Sequence, residues 1–146
     1  MKVNLFAYGT LQYPALAEAV TGVAAEPEPA TLHGFRREGM RGRAYPAIMA
    51  DPGARVAGQL YRGLPARVLV ALDRFEGDEY VREQHRVAIP DGRWLPVWCY
   101  VVAPSCAGLL SGRAWDTEAF ERLHLARYVG GEPPAGCRDS RRSDAP

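Results

Sequence analysis

Two stretches late in the chain, 80–89 and 94–102, are rich in β-branched and aromatic residues and are separated by Pro90-Asp91-Gly92. Two strand-like runs joined by such a turn close as an antiparallel hairpin, so a sheet is built into any fold this chain adopts. Along the second run Val97, Cys99 and Val101 face one way, and Trp98, Tyr100 and Val102 face the other. Pro96 lacks an N–H, which puts the start of that run at an edge. Other strands are expected elsewhere. Val3, Leu5, Phe6 and Ala7 form an apolar run near the N-terminus, a further strand is expected over 31–36, and 56–61 alternates as a strand does. Gly58 inside the latter predicts a bulge or the close approach of another backbone. Tyr45-Pro46-Ala47-Ile48-Met49 is extended, since a residue before proline is driven out of the helical region. Asp51-Pro52-Gly53 reads as a turn.

Helical signals are fewer. Residues 14–20 form a short alanine-rich helix. Pro65 suits a first helical turn, and Val68, Leu69, Leu72 and Phe75 follow at helical spacing, with Gly77 as a left-handed cap. A helix is expected over 115–128, capped by Asp116 or Thr117. With Asp116 as the cap, Trp115 and Phe120 form a hydrophobic staple, and Gly130-Gly131 ends the helix. Strands outnumber helices and are joined by turns as well as helices. The expected class is α+β, a small mixed or antiparallel β-barrel flanked by helices. The domain is expected over 1–131, with 132–146, rich in Pro, Arg, Ser and Asp, as a disordered tail.

Composition narrows the function. The 146 residues suit one domain with a real core, and the formal net charge of +1 with no basic, aromatic-interleaved run argues against nucleic acid. No apolar segment is long enough to span a bilayer and no signal-peptide pattern opens the chain, so a cytoplasmic location is expected. Cys99, Cys106 and Cys137 form no C-x-x-C pair, and His33, His85 and His124 are scattered, so neither a disulfide framework nor a metal site is indicated and no cofactor is expected. No G-x-S-x-G or other nucleophile motif is present, although a Cys or Ser nucleophile with a His base stays open.

Two places carry the chemistry. The apolar N-terminal run stops at Tyr8-Gly9-Thr10-Leu11. A loop just past a buried strand either simply turns the chain or aims consecutive N–H groups into a cavity as an anion nest. The second place is Leu72-Asp73-Arg74-Phe75-Glu76-Gly77. Glu76 falls at a helix C-terminus near Asp73, Asp78 and Glu79, where the macrodipole and like charges raise a carboxyl pKa. It is either a solvated carboxylate in an acidic loop or a general base. Tyr45, Tyr80 and Tyr100 each read as a packed aromatic or a cavity wall.

Taken in order, Phe6-Ala7-Tyr8-Gly9-Thr10-Leu11, Tyr45-Pro46-Ala47-Ile48, Gly58-Gln59-Leu60-Tyr61 and Leu72-Asp73-Arg74-Phe75-Glu76-Gly77 resemble the gamma-glutamylcyclotransferase-like family. The likeness continues through Tyr80, Arg82, Trp98-Cys99-Tyr100-Val101 and the last helix, and looks most like the plant-type, avirulence-induced branch with a Tyr-Gly-Thr-Leu loop. It implies a small β-barrel with flanking helices. It also implies a reaction in which the free α-amine of a γ-glutamyl compound attacks its own γ-carbonyl, yielding 5-oxoproline and a released amine. By this resemblance Glu76 is the general acid/base, the backbone of Tyr8, Gly9, Thr10 and Leu11 grips the substrate, and Tyr80 lines the cavity. The implied partner is a small γ-glutamyl molecule, with the protein a monomer or homodimer. Two other readings share the same fold: a non-catalytic metabolite-binding module, and a tailoring enzyme that removes a γ-glutamyl group in natural-product synthesis. Only Asp78 and Glu79 lie between Glu76-Gly77 and Tyr80, a shorter gap than in the branch acting on γ-glutamylamines.

Overall fold

The computed structural model describes residues 1–131, and the expected disordered tail lies outside them. Five strands form a closed barrel: β1 (Lys2–Ala7), β2 (Glu28–Gly39), β3 (Pro46–Pro65), β4 (Tyr80–Ala88) and β5 (Trp94–Val102). Their order around the barrel is β1-β3-β2-β4-β5. β4 and β5 are the expected hairpin, paired from Tyr80↔Val102 to Ala88↔Trp94. All neighbours are antiparallel except β1 and β5, which meet in parallel at Leu5↔Trp98. That bridge and Thr31↔Ala88 between β2 and β4 are two narrow seams that tie the hairpin into the barrel. Pro96 sits beside the first of them, and its carbonyl accepts from Asn4 Nδ2 at 3.0 Å.

β3 departs from expectation. Asp51-Pro52-Gly53 does not separate two strands; it lies inside one strand of 20 residues. The register with β2 jumps from His33↔Arg55 to Phe35↔Ala50, so residues 51–54 bow out opposite Gly34 (φ +85°) while pairing resumes on either side. The local turn signal is real, but the long partner strand carries the ladder past it.

The alternation of the strands sorts their side chains into two cores. One collects Phe6, Leu32, Ile48, Leu60, Val87 and Cys99, with all five strands contributing, and so fills the barrel. The other places Leu5, Ala7 and Tyr61 against Leu16 of α1 (Pro14–Thr21), Val68 and Leu72 of α2 (Val68–Glu76), and Phe120 of α3 (Thr117–Leu123). Val97, Cys99 and Val101 belong to the first core and Tyr100 and Val102 to the second, as the period-2 pattern requires.

The last helix is two helices, α3 and α4 (Leu125–Val129), broken at His124 (φ −129°, ψ −28°). The start is as expected: Asp116 accepts from the Ala119 N–H at 2.9 Å, and the Trp115 and Phe120 rings lie 5.5 Å apart. Eight residues of continuous helix span about 12 Å. The break instead lets Tyr128 meet Phe120 edge to face at 5.2 Å. Among the described residues no helix is long and apolar enough to cross a membrane.

Gly58 marks a close approach rather than a bulge. A Cβ there would sit 2.5 Å from the Ala7 carbonyl oxygen and 2.7 Å from Phe6 Cζ. Neither a backbone oxygen nor a ring packed in the barrel can yield that space, so Gly58→Ala should destabilise by about 1–3 kcal/mol, read as a lower urea midpoint. Asp116→Ala should cost about 1 kcal/mol by the same measurement, through loss of the cap.

Candidate active site

β1 delivers the Tyr8 loop. Pairing with β3 ends at Ala7↔Gln59, and Tyr8 turns its ring into the barrel core, where its hydroxyl donates to the Tyr100 carbonyl at 2.6 Å. Gly9 then passes so close to Pro46 that a Cβ would lie 3.0 Å from that ring's Cγ and Cδ. A tight 3₁₀ turn over Thr10–Gln12 follows, its first bond running from the Gln12 N–H to the Gly9 carbonyl at 3.1 Å.

The carbonyls of this loop are held from outside. Tyr8 O accepts from Arg37 Nη1 at 2.7 Å and Gln12 Nε2 at 2.9 Å, and Leu11 O accepts from the Tyr61 hydroxyl at 2.8 Å. The N–H groups of Thr10 and Leu11 precede the first bond of the turn and so have no place in it. Among the described residues, neither these nor the Gly9 N–H donates to another loop or side-chain acceptor. Gly9, Thr10 and Leu11 line a cavity together with Tyr8, Tyr45, Pro46, Phe75, Glu76, Tyr80 and Tyr100. The fold therefore brings every candidate residue named from the sequence to one place.

Glu76 lines the same cavity from a different element. It ends α2, and Gly77 follows at φ +69°, ψ −155°. This is not the left-handed cap that was expected but an extended, mirror-β conformation open essentially to glycine alone. It turns the chain directly into a 3₁₀ turn over Gly77–Glu79 and then into Tyr80. The Glu76 carboxyl is pushed up to about 8, chiefly by burial and secondly by the nearby Asp73 carboxylate. The direction matches the sequence reading and the cause matches in part: Asp73 contributes as expected, but desolvation leads. Among the described residues the Glu76 carboxyl makes no hydrogen bond or ion pair, although it keeps some exposure where it lines the cavity.

The other polar groups of the wall are committed. Tyr80 donates to the Pro46 carbonyl at 2.6 Å and Tyr100 to Asp73 Oδ1 at 2.6 Å. The Tyr45 hydroxyl donates to Glu79, whose other oxygen meets Arg43 Nη2 at 2.9 Å and Nε at 3.0 Å. Burial raises Tyr8, Tyr45, Tyr80 and Tyr100 above the ordinary phenol range, so all four stay protonated near neutral pH. Tyr45 is both things the sequence left open, a core aromatic and a cavity wall. Asp73 also lies 2.9 Å from Arg82 Nε, but as a charge contact without a directed hydrogen bond, and the Arg82 guanidinium stacks 4.4 Å above Trp98. Glu79 is 2 % exposed, the reverse of the acidic loop residue it resembled in sequence.

Gln12, Arg37 and Arg43 were not singled out by sequence reasoning, and Tyr61, Asp73 and Glu79 entered it only as motif members or neighbours of Glu76, without the hydrogen bonds and ion pairs they make here. Each acts across long sequence separation or through a main-chain acceptor, and neither leaves a local pattern. Among the described residues, no group of three or more His, Cys, Asp or Glu gathers as metal ligands would.

Comparison with known proteins agrees with the fold. Residues 5–117 match the family model described as gamma-glutamyl cyclotransferase, AIG2-like. Protein AIG2 A of Arabidopsis thaliana is 30% identical over 131 residues, covering 86% of this chain and 74% of its own. AIG2-like protein C of the same plant is 35% identical over 127 residues, covering 86% and 73%. A solution structure of an Arabidopsis thaliana protein superposes with a TM-score of 0.70 at 28% identity, over 89% of this chain and 79% of that one. A structure titled gamma-glutamyl cyclotransferase shares the fold at a TM-score of 0.64 and 20% identity, over 91% and 89%. The barrel, the Tyr8 loop and the carboxylate facing it thus belong to a chain that is a member of the gamma-glutamyl cyclotransferase, AIG2-like family.

Proposed function

We propose that this protein is a γ-glutamyl cyclotransferase that converts the γ-glutamyl group of a small peptide or amine into 5-oxoproline, with Glu76 as its general acid/base. One observation carries the reading: a desolvated carboxyl without a protein partner among the described residues shares a cavity with backbone N–H groups that the fold leaves unused.

The substrate supplies its own nucleophile. Its α-ammonium loses a proton to the Glu76 carboxylate, and the freed amine attacks the γ-carbonyl carbon. The developing oxyanion is met by N–H groups of the Tyr8–Leu11 loop, the type of contact that contributes most when donors are fixed in advance. The intermediate then collapses. Glu76 returns that proton to the departing nitrogen, the γ-C–N bond breaks, and the ring nitrogen sheds the second proton that the attack left on it. 5-Oxoproline and the amine, which takes up that second proton as an ammonium, then leave. No water is consumed and no redox change occurs. Holding the substrate folded on itself accounts for up to about 7–11 kcal/mol of the barrier in favourable intramolecular cases, and the proton transfers add about 10²–10⁴-fold. The Tyr45, Tyr80 and Tyr100 rings supply walls that exclude water, and their hydroxyls, already bound, do not compete for the proton.

The direct test is incubation with γ-glutamyl-alanine, γ-glutamyl-ε-lysine, γ-glutamyl-butylamine and glutathione, with 5-oxoproline read by mass spectrometry. Native protein should release it from at least one of these, and Glu76→Gln should lose about 10²–10⁴-fold in kcat. Absence of product with a thermal shift on adding 5-oxoproline would replace this reading with a binding module.

Two pH dependences follow from the carboxyl near 8. Because the base form is needed, kcat/KM should rise with pH and level off above about 8. Stability should move the other way. The unfolded carboxyl ionises at its ordinary value of 4.5 while the folded one holds its proton until about 8, so folding is penalised increasingly between those values. Glu76→Gln should melt like the native protein near pH 4 and above it at pH 8–9, by several degrees.

A further inference from the structure

The loop's N–H groups are useful only if the peptide planes that carry them are held in one orientation, and the structure shows what holds the first of them. In a trans peptide the carbonyl and the following N–H point in opposite directions across a rigid plane. The peptide joining Tyr8 to Gly9 is trans, and its carbonyl receives two donors at once, Arg37 Nη1 at 2.7 Å and Gln12 Nε2 at 2.9 Å. Neither donor lines the cavity that holds Glu76. Both line a separate groove, beside Gln59 and Arg55, while Tyr8 and Gly9 line the Glu76 cavity. We infer that Arg37 and Gln12 form a clamp behind the active site that fixes the Tyr8–Gly9 peptide with its carbonyl outward and the Gly9 N–H aimed into the cavity as an oxyanion donor. The inference rests on the cyclotransferase reading and adds two positioning residues to it.

The clamp is itself well seated. Arg37 is half-buried, with its guanidinium 5.5 Å from the centre of the Trp115 ring, so its fork does not wander over the surface. Gln12 is the last residue of the 3₁₀ turn, and its side chain folds back over the turn's own first carbonyls, also reaching Gly9 O at 3.3 Å. A charged donor and a neutral one on a single carbonyl make the reversed peptide doubly unfavourable: reversal would unpair both donors and present an oxygen, a repulsive partner, to a developing oxyanion. Gly9 makes such control necessary. Glycine is the residue whose backbone reorients most freely, and the Pro46 ring, 3.0 Å from where a Cβ would sit, leaves tight room for any other residue. A glycine at this tight position thus needs outside hydrogen bonds to remain in one state.

The variants Arg37→Met, Arg37→Lys, Gln12→Leu and the double variant Arg37→Met/Gln12→Leu test this with two independent readouts. In steady-state kinetics on the best γ-glutamyl substrate, Arg37→Met should lower kcat by about 10–10²-fold, below the loss for outright deletion of an oxyanion donor. KM should change less than threefold. The rise of kcat/KM towards pH 8 should stay in place, because Glu76 is untouched. Arg37→Lys should recover part of kcat, and the double variant should be the slowest. A loss confined to KM, a displaced pH limb, or kcat within twofold of native in the double variant would overturn the clamp. The second readout needs no activity: crystal structures of the native protein and the double variant, compared at the Tyr8–Gly9 peptide. Reversal or a mixture of two orientations in the variant is expected. A single unchanged orientation there would refute the inference. If the native protein makes no 5-oxoproline from any substrate, the cyclotransferase reading fails separately, and the peptide orientation still decides whether the clamp exists.

Discussion

Ala7 and residue 58 pass so close that only a hydrogen atom fits between the two strands. That contact lets β1 lie tightly on β3 while it also reaches β5, and it is how a sheet with a single parallel junction becomes a closed barrel. Closure in turn divides the side chains of β1 between two interiors. Phe6 goes into the barrel, while Leu5 and Ala7 face the helices. The chain then leaves the barrel rim at Tyr8, anchored by its own ring inside, and its next residues have nowhere to run but along the wall of the cavity. The helix that brings Glu76 is packed by Val68 and Leu72 against the core that Leu5 and Ala7 complete. Both halves of the site are consequences of one close approach.

The electrostatics of the cavity are those of selective commitment. Four tyrosines and the buried Glu79 stand at or behind the site, and each is spent on a specific partner: a carbonyl for Tyr8 and Tyr80, Asp73 for Tyr100, Glu79 for Tyr45, and Arg43 for Glu79. Buried polar groups with good partners are structurally quiet, whereas one without a partner bears the full desolvation cost. Among the described residues Glu76 has no such partner and is desolvated except where it lines the cavity, which is why its proton is held more tightly than that of an ordinary glutamate. The same reasoning separates two acids three residues apart. Glu79, more deeply buried, has Arg43 and Tyr45; Glu76 has space.

Much of this was legible in the sequence because it is written in short-range patterns. The two faces of the β4–β5 hairpin follow from alternation alone, and the Asp116 cap with the Trp115–Phe120 staple follows from spacing within six residues. The continuity of β3 was not legible. Asp51-Pro52-Gly53 is a valid local turn signal, and only the partner strand shows that the ladder resumes beyond it. The loop and Glu76 stood out as candidates, but their supports did not, because Arg37 acts from 29 residues away and Arg43 reaches Glu79 across 36. A hydrogen bond to a main-chain oxygen leaves no trace in residue identity at the accepting end. The break at His124 likewise depends on a tertiary contact, Tyr128 on Phe120, that a helical repeat cannot announce.

Gly77 carries a consequence for the mechanics of the site. Between the carboxylate that ends α2 and the tyrosine that begins β4, the chain has no slack: one glycine in a conformation that other residues avoid, then a single tight turn. The residue with the largest conformational freedom in the unfolded chain is frozen at the point where the two walls join. The fold accepts that entropic cost, and the result is a corner rather than a hinge. In the reaction proposed for this site, a substrate that must bend back upon itself would meet a container whose own shape does not bend, with the geometry of ring closure set before the substrate arrives.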